Sequence, residues 1–255
     1  MAVAEDRDTH VEHVASLERG LEVIKHLCSD RRVTLAEIAR DTDMSRAAAR
    51  RFILSLQHLG YVECDGRYYQ LRRQIIDLGH AYLSSLPWWR EAERAVERLS
   101  RQLAADCGAY VLDRGRVATV ASSTHERFSV FEREVGQGEP AYASAAGRIL
   151  LAGLSRAESA VYLSSATLHP LTPFTLYEPV QLETAIERIR AEGHAVVVQE
   201  LQIGITSIAV PILDRSAVVV AALGVQIASA RDDATACLDA LTAASAAITS
   251  AAHHD

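Results

Sequence analysis

Three arginines within six residues, Arg46, Arg50 and Arg51, are the side chains whose type and spacing point most directly to chemistry with a partner. A guanidinium is a planar fork of donors that pairs bidentately with guanine O6 and N7 or with a phosphate. Arg46 and Arg50 stand one helical turn apart, with Arg51 beside them. Ala47 and Ala48 between them are small enough to bring a helix close to a groove and to touch a thymine methyl. Further along, Arg67, Arg72 and Arg73 are suited to flanking phosphates. A solvated helix face is the competing reading of such a run. What favours DNA is its place behind Ser45, at the start of the third of three short helical patterns.

Enzymatic chemistry has weaker footing. Ten histidines are present, but no H-E-x-x-H, and His253-His254 has no partner at metal-ligand spacing. There is no G-x-S-x-G elbow, no Walker A loop and no G-x-G-x-x-G fingerprint. Gly136-Gln-Gly138 is too short to cradle a phosphate. Glu200 has the chemistry of a general acid or base but no companion carboxylate or nucleophile nearby in sequence. Cys107 reads as a buried free thiol rather than a nucleophile. The expectation is therefore no catalytic residue, no metal and no cofactor.

The elements that position the arginines follow from periodicity. Leu17, Leu21, Ile24 and Leu27 form one stripe of a helix over 16–29, with Ser16 able to cap it. Thr34-Leu-Ala-Glu37 is a capping box that opens a second helix with Leu35, Ile38 and Ala39 inward. Ser45 caps a third helix over 46–59, burying Ala49, Phe52, Ile53 and Leu56, and Gly60 suits the left-handed position that ends it. Two short runs flanking Asp65-Gly66 predict a hairpin with a type I′ turn. Three helices followed by a hairpin make a winged helix-turn-helix over 16–73, preceded by a disordered tail over 1–15.

The chain has 255 residues and a net charge of −7. Residues 16–86 carry 11 Lys and Arg against 9 Asp and Glu, whereas residues 87–255 carry 14 against 20. A slightly basic block thus precedes an acidic one, which permits a small basic DNA reader within an acidic protein. The longest apolar run, Ala217–Val225, is far short of the ~20 residues that span a bilayer, so no membrane partner is expected. The opening MAVAEDRDTHVEH lacks the basic and apolar regions of a signal peptide, and the four cysteines are scattered. Both fit free thiols in the cytoplasm.

Residues 74–85 continue as a helix with Ile75, Leu78, Tyr82 and Leu83 on one stripe, and Pro87 breaks it. The helix over 88–105 turns Trp89, Ala92, Val96, Leu99 and Leu103 inward. Apolar helices at such a boundary serve dimerisation or pack on their own domain, and the sequence leaves both open. A second domain over 88–252 alternates strands and helices: a hairpin over 109–122 turning at Arg114-Gly-Arg116, helices over 144–154, 156–164 and 182–192, strands over 195–199, 205–213 and 218–227, and an alanine-rich helix over 232–252. The whole reads as α+β, the second domain being a mixed α/β unit with an antiparallel sheet.

Side chains alternate faces along a strand. Thr206, Ile208, Val210 and Ile212 share one face of the first late strand, and Ser207, Ala209 and Pro211 the other. In the next strand Val219, Ala221, Leu223, Val225 and Ile227 oppose Ala222, Gly224 and Gln226. The bulky faces are core. The small faces either floor a ligand cavity with a few polar handles, seat a helix, or face solvent.

Several segments resemble the IclR family of bacterial transcriptional regulators: Ser16-Leu-Glu-Arg-Gly-Leu-Glu-Val-Ile24, Thr34-Leu-Ala-Glu-Ile-Ala39, Leu59-Gly-Tyr-Val62, Ala143-Ser-Ala-Ala-Gly-Arg-Ile-Leu-Leu-Ala152, Glu200 with Gly204, and Ser207-Ile-Ala-Val-Pro211. The resemblance runs from about residue 15 to 250. The recognition helix Arg46-Ala-Ala-Ala-Arg-Arg51 and Leu171-Thr-Pro-Phe-Thr175 resemble its protocatechuate- and p-hydroxybenzoate-sensing branch. It implies a winged-helix reader of double-stranded operator DNA, a linker helix over 74–87 and a GAF-like effector-binding domain. It also implies homodimers, often paired into tetramers. Activation and repression are both open. The implied effector contacts are Ala145, Ala146, Glu200, Ser207, Gly224 and Gln226, with Tyr110 and Tyr142 as additions. This chain has Gly138 and Thr206 where that branch has arginines. The expected effector is therefore a neutral aromatic, or an acid held by Arg127, Arg133 or Arg148. A sensor acting through a protein partner is the alternative function, and an enzyme on the GAF-like domain a more remote one.

Overall fold

The computed structural model describes residues 14–29, 32–125, 138–231 and 233–251. They sort into two units, one ending at Tyr82 and the other beginning at Leu83.

In the first unit, α1 (Ala15–Ser29), α2 (Leu35–Asp41) and α3 (Arg46–His58) precede a wing of β2 (Val62–Asp65) and β3 (Tyr68–Leu71), with β1 (Val33–Thr34) added to the other edge of β3. The capping box forms as the residue types require. Thr34 N–H donates to Glu37 Oε2 at 2.7 Å, and Glu37 N–H donates back to Thr34 Oγ1 at 3.4 Å. The bonds from Thr34 hold the Glu37 carboxyl below the ordinary carboxylate range. Val23, Leu27, Ile38, Ala49, Ile53, Leu56 and Val62 close the core.

Three local expectations are corrected. Helix α1 begins at Ala15, so Ser16 lies inside it and is not its cap. Leu17 and Leu21 are 63% and 48% exposed, while Val23 takes the buried position. The wing turn is Gly66-Arg67 rather than Asp65-Gly66, because Asp65 pairs with Tyr68. Only Gly66 of these two has a positive φ, at +65°, whereas a type I′ turn needs it at both central residues. Helix α4 (Ile75–Ser84) follows the wing and has no buried residue, with Ile76, Leu78 and Tyr82 more than half exposed.

The second unit is built on a six-stranded antiparallel sheet in the order β6-β5-β4-β9-β8-β7. Its strands are β4 (Asp106–Asp113), β5 (Arg116–Ser123), β6 (Glu139–Pro140), β7 (Ala195–Val198), β8 (Ile205–Leu213) and β9 (Val219–Ala228). The β4–β5 turn is the two residues Arg114-Gly115, both at positive φ, shorter than the predicted three-residue link. Helices α5 (Trp89–Leu103) and α9 (Ala234–Ala251) cover one face over Ile208, Val210, Ile212, Leu223, Val225 and Ile227. Helices α6 (Ala145–Gly153) and α8 (Pro179–Glu192) cover the other over Tyr110, Ala209 and Ala222, with α7 (Arg156–Ser165) packed on α8. The alternation of late-strand faces holds with one exception. A register shift beyond Ile212 moves Val219 to the α6 side and leaves Val220 with the α5–α9 core.

Burial divides the cysteines: Cys107 and Cys237 are inside, Cys28 and Cys64 exposed. Burial pushes the Cys107 thiol up to about 12, and only the thiolate is nucleophilic. A thiol-reactive disulfide reagent at neutral pH is expected to titrate two thiols in the native protein and four in denaturant. Rapid modification of all four without denaturant would contradict this burial.

Candidate DNA-reading surface and effector pocket

Ser45 caps α3 by accepting the Ala48 N–H at 3.2 Å, which sets the helix start and the facing of its first two turns. With Ala49, Ile53 and Leu56 inward, Arg46, Ala47, Arg50 and Arg51 are exposed and Ala48 half-buried. None of the three arginines forms an ion pair with a described residue. Arg67 in the wing turn is held differently: its guanidinium donates to Tyr68 Oη at 2.6 Å and lies 4.9 Å from that ring's centre. Arg72 pairs with Glu63 at 3.7 Å, and Arg73 is exposed. One compact unit thus carries all the sequence-predicted DNA-binding residues, with the recognition-helix arginines in no ion pair among the described residues and Arg67 and Arg72 braced.

In the second unit, Ser144 caps α6 by accepting the Gly147 N–H at 3.1 Å, and Ala145 N–H donates to Ser207 Oγ on β8 at 3.3 Å. The helix start is thereby pinned above the sheet. Beneath it lies a pocket lined by Tyr110, Glu139, Ser144, Ala145, Ala146, Ser207, Gly224 and Gln226, among others. Six of the eight predicted effector contacts therefore converge. The two small-faced strands do two things at once: Ala209 and Ala222 seat α6 in the core, and Ser207, Gly224 and Gln226 border the pocket. The free space is about 10 Å³, room for about one water. Gln226 is 8% exposed, and its Oε1 is buried with no hydrogen-bond partner among the described residues.

Glu200 and Tyr142 lie outside this lining. Glu200 forms a bidentate pair with Arg148 at 2.8 and 2.5 Å, with the two side chains 9% and 4% exposed. Each side chain has a further partner. Arg148 Nε donates to the Tyr142 carbonyl at 2.7 Å, and Glu200 Oε2 accepts the Leu176 N–H at 2.7 Å. Thr172 and Thr175 hydroxyls donate to the Gln199 and Glu200 carbonyls. Tyr142 Oη donates to the His169 carbonyl at 2.9 Å. This cluster ties α6, the 172–176 segment and the turn after β7 together. Sequence reasoning missed it because Arg148 and Glu200 are 52 positions apart and no local signal links them.

The arginine question changes accordingly. Arg148 is committed to Glu200 and does not line the pocket. Arg127 and Arg133 lie outside the described residues. Thr206 faces away from the pocket side of β8, where its hydroxyl meets Ser229 Oγ at 2.9 Å, so an arginine there would not project from that strand toward the pocket. Gly138 adjoins Glu139 at the pocket rim, and a Cβ on it would stand 2.9 Å from the Val117 carbonyl oxygen.

An arginine-faced winged helix in one unit and an enclosed, polar-handled pocket in another define a ligand-responsive DNA-binding regulator. The sequence profile of the bacterial transcriptional regulator IclR C-terminal domain matches residues 80–251, and that of the IclR helix-turn-helix domain matches residues 16–66. The chain belongs to the IclR family of bacterial transcriptional regulators.

It is 42% identical over 214 residues to the Pca regulon regulatory protein of Pseudomonas putida, covering 83% of this chain and 74% of that protein. It is 29% identical over 218 residues to the p-hydroxybenzoate hydroxylase transcriptional activator of Acinetobacter baylyi, covering 83% and 80%. A Rhodococcus sp. RHA1 protein of known structure superposes with a TM-score of 0.83 at 35% identity, covering 94% of this chain and 99% of that one. The fold is also that of an IclR homolog from Microbacterium hydrocarbonoxydans solved with 4-hydroxybenzoate, with a TM-score of 0.88 at 21% identity, covering 94% and 100%.

Proposed function

We propose that this regulator grips a near-palindromic operator as a symmetric dimer, and that a small aromatic molecule bound at the N-terminus of α6 sets that grip. The genes controlled would serve catabolism of the aromatic compound, in the cytoplasm. The observation that carries the reading is the convergence of Tyr110, Ala145, Ala146, Ser207, Gly224 and Gln226 on one pocket with an orphaned polar atom in its wall. The relatives named for Pca and p-hydroxybenzoate regulation support the aromatic class. In this reading residues 16–73 read DNA, 74–87 link, and 88–252 sense the effector; residues 1–13 of the expected disordered tail lie outside the described residues.

The test is a band shift with DNA from upstream of the protein's own gene, run with protocatechuate, 4-hydroxybenzoate and their amides. A specific complex whose affinity changes with at least one compound is the expected result. A specific complex indifferent to every small aromatic would overturn the effector half, and no specific complex the whole.

The dimer has its own argument. One winged helix makes too few phosphate contacts for the usual specific affinity of ~10⁻⁸ M or tighter, and two-fold symmetry doubles them. Leu17 and Leu21 on α1, and Ile76 and Leu78 on α4, are apolar side chains exposed in the single chain. Sedimentation at micromolar concentration is expected to give a dimer, or a dimer of dimers. A monomer both with and without operator DNA would refute this.

A further inference from the structure

The pocket has little free space, and the Tyr110 ring lies across its floor. Gly108 on β4 and Gly224 on β9 are paired in register, so their bare Cα positions lie side by side on the pocket face of the sheet. The Tyr110 ring lies over that double-glycine floor. A Cβ on Gly108 would stand 2.5 Å from Tyr110 Oη and 2.6 Å from Cζ, and one on Gly224 3.4 Å from Tyr110 Cε2. Tyr110 as a whole is 5% exposed. It thus occupies the place where another flat ring could lie, and leaves about 10 Å³ free beside it. A cavity near 150 Å³ is the size that takes up benzene, so an aromatic ligand cannot enter until this ring leaves.

The wall beside the floor carries the second observation. Gln226 sits directly across from Ser207 in the β8–β9 register and adjoins Gly224 by two residues. Its Oε1 is an acceptor, enclosed and without a donor among the described residues. A buried unsatisfied polar atom is costly, and a ligand that brings a donor removes that cost. Among the described residues lining the pocket there is no Lys, Arg or His to hold an anion, and a buried charge without a partner is costly.

We infer that the effector is a neutral planar ring bearing an O–H or N–H donor, which displaces the Tyr110 ring from the Gly108–Gly224 floor and donates its hydrogen to Gln226 Oε1. This rests on the reading that the pocket is the effector site, and goes past it in naming the chemistry and the displaced side chain. The free protein is then self-plugged. Its apparent affinity falls by the fraction of molecules whose ring is already out, and truncating the ring restores that fraction.

Ligand-observed NMR and calorimetry on the full chain decide it, with two isosteric pairs as probes: phenol against fluorobenzene, and benzamide against acetophenone, with benzoate alongside. In each pair only the first member has the donor. The parent should bind phenol or benzamide about tenfold tighter than its partner, as one hydrogen bond to a buried acceptor allows, and benzamide tighter than benzoate. Gln226→Leu should abolish the donor preference while keeping a native thermal melt. Tyr110→Ala should tighten binding of the preferred probe several-fold.

Equal binding within both pairs, a donor preference that survives Gln226→Leu, or weaker binding to a folded Tyr110→Ala variant would each overturn the inference. So would failure of every probe to bind either parent or Tyr110→Ala. If Gln226→Leu does not fold, Gln226→Met serves in its place. A band shift that responds to an aromatic acid while these probes show no donor preference would leave the effector reading standing and sink only this one.

Discussion

Glu200→Ala is expected to lower the stability of the effector domain by about 3–5 kcal/mol, the cost of leaving a buried charge without its partner. Arg148 is 3% exposed and has no other described carboxylate to turn to. The loss is larger than a single ion pair because Glu200 Oε2 also receives the Leu176 N–H, so the 172–176 segment loses an anchor together with the arginine. For a domain of this size the loss corresponds to a fall in melting temperature of roughly 6–20 °C. Glu200→Gln keeps an acceptor and should fall between parent and Ala. Replacing both Arg148 and Glu200 by apolar residues should recover part of the loss, because no uncompensated charge is then left. Calorimetric melts of the four proteins check this, and a Glu200→Ala melt indistinguishable from the parent's would mean that the pair does not hold these segments.

Gly224→Leu is expected to abolish the response to effector. Even a Cβ at this position would stand 3.1 Å from the Ile208 carbonyl and 3.4 Å from the Tyr110 ring. The rest of a leucine must project into the pocket, whose 10 Å³ leaves no space for it. Overpacking of this kind costs about 1–3 kcal/mol of stability. Operator affinity without effector should stay within about twofold of the parent, because the arginines of α3 sit on a separate unit. Band shifts with increasing effector would show a flat line for Gly224→Leu. A parental response would place the effector elsewhere.

How far the sequence reaches is set by how local each signal is. The capping box of Thr34 and Glu37, the Ser45 cap and the arginine face of α3 are all decided within six residues, and each forms as read. Strand parity separated Ser207, Gly224 and Gln226 from the bulky core, because alternation is a property of the backbone itself. Parity failed at Val219, where a register shift that no residue type announces moves one side chain to the other face. The α1 stripe held at Ile24 and Leu27, which pack on the core, and failed at its first two members for a different reason. Leu17 and Leu21 have helical spacing, but spacing does not say whether a face packs on its own domain. The Arg148–Glu200 pair and the Tyr110 ring over two glycines depend on chain segments that meet only in the folded sheet. They are tertiary facts, invisible to any window along the chain.

In the function proposed here, this chain reads DNA through α3. Its most direct test is the salt dependence of binding to the upstream duplex, measured by fluorescence anisotropy for the parent, Arg50→Ala and Arg51→Ala. An arginine that reads a base edge should cost about 1–3 kcal/mol on removal and relax one base preference, whereas one that holds a phosphate should reduce the salt slope by about one. Each variant is expected to show one of these two signatures. If both bind the operator as the parent does at every salt concentration, α3 is not the recognition helix and the account of this protein as a winged-helix reader is wrong.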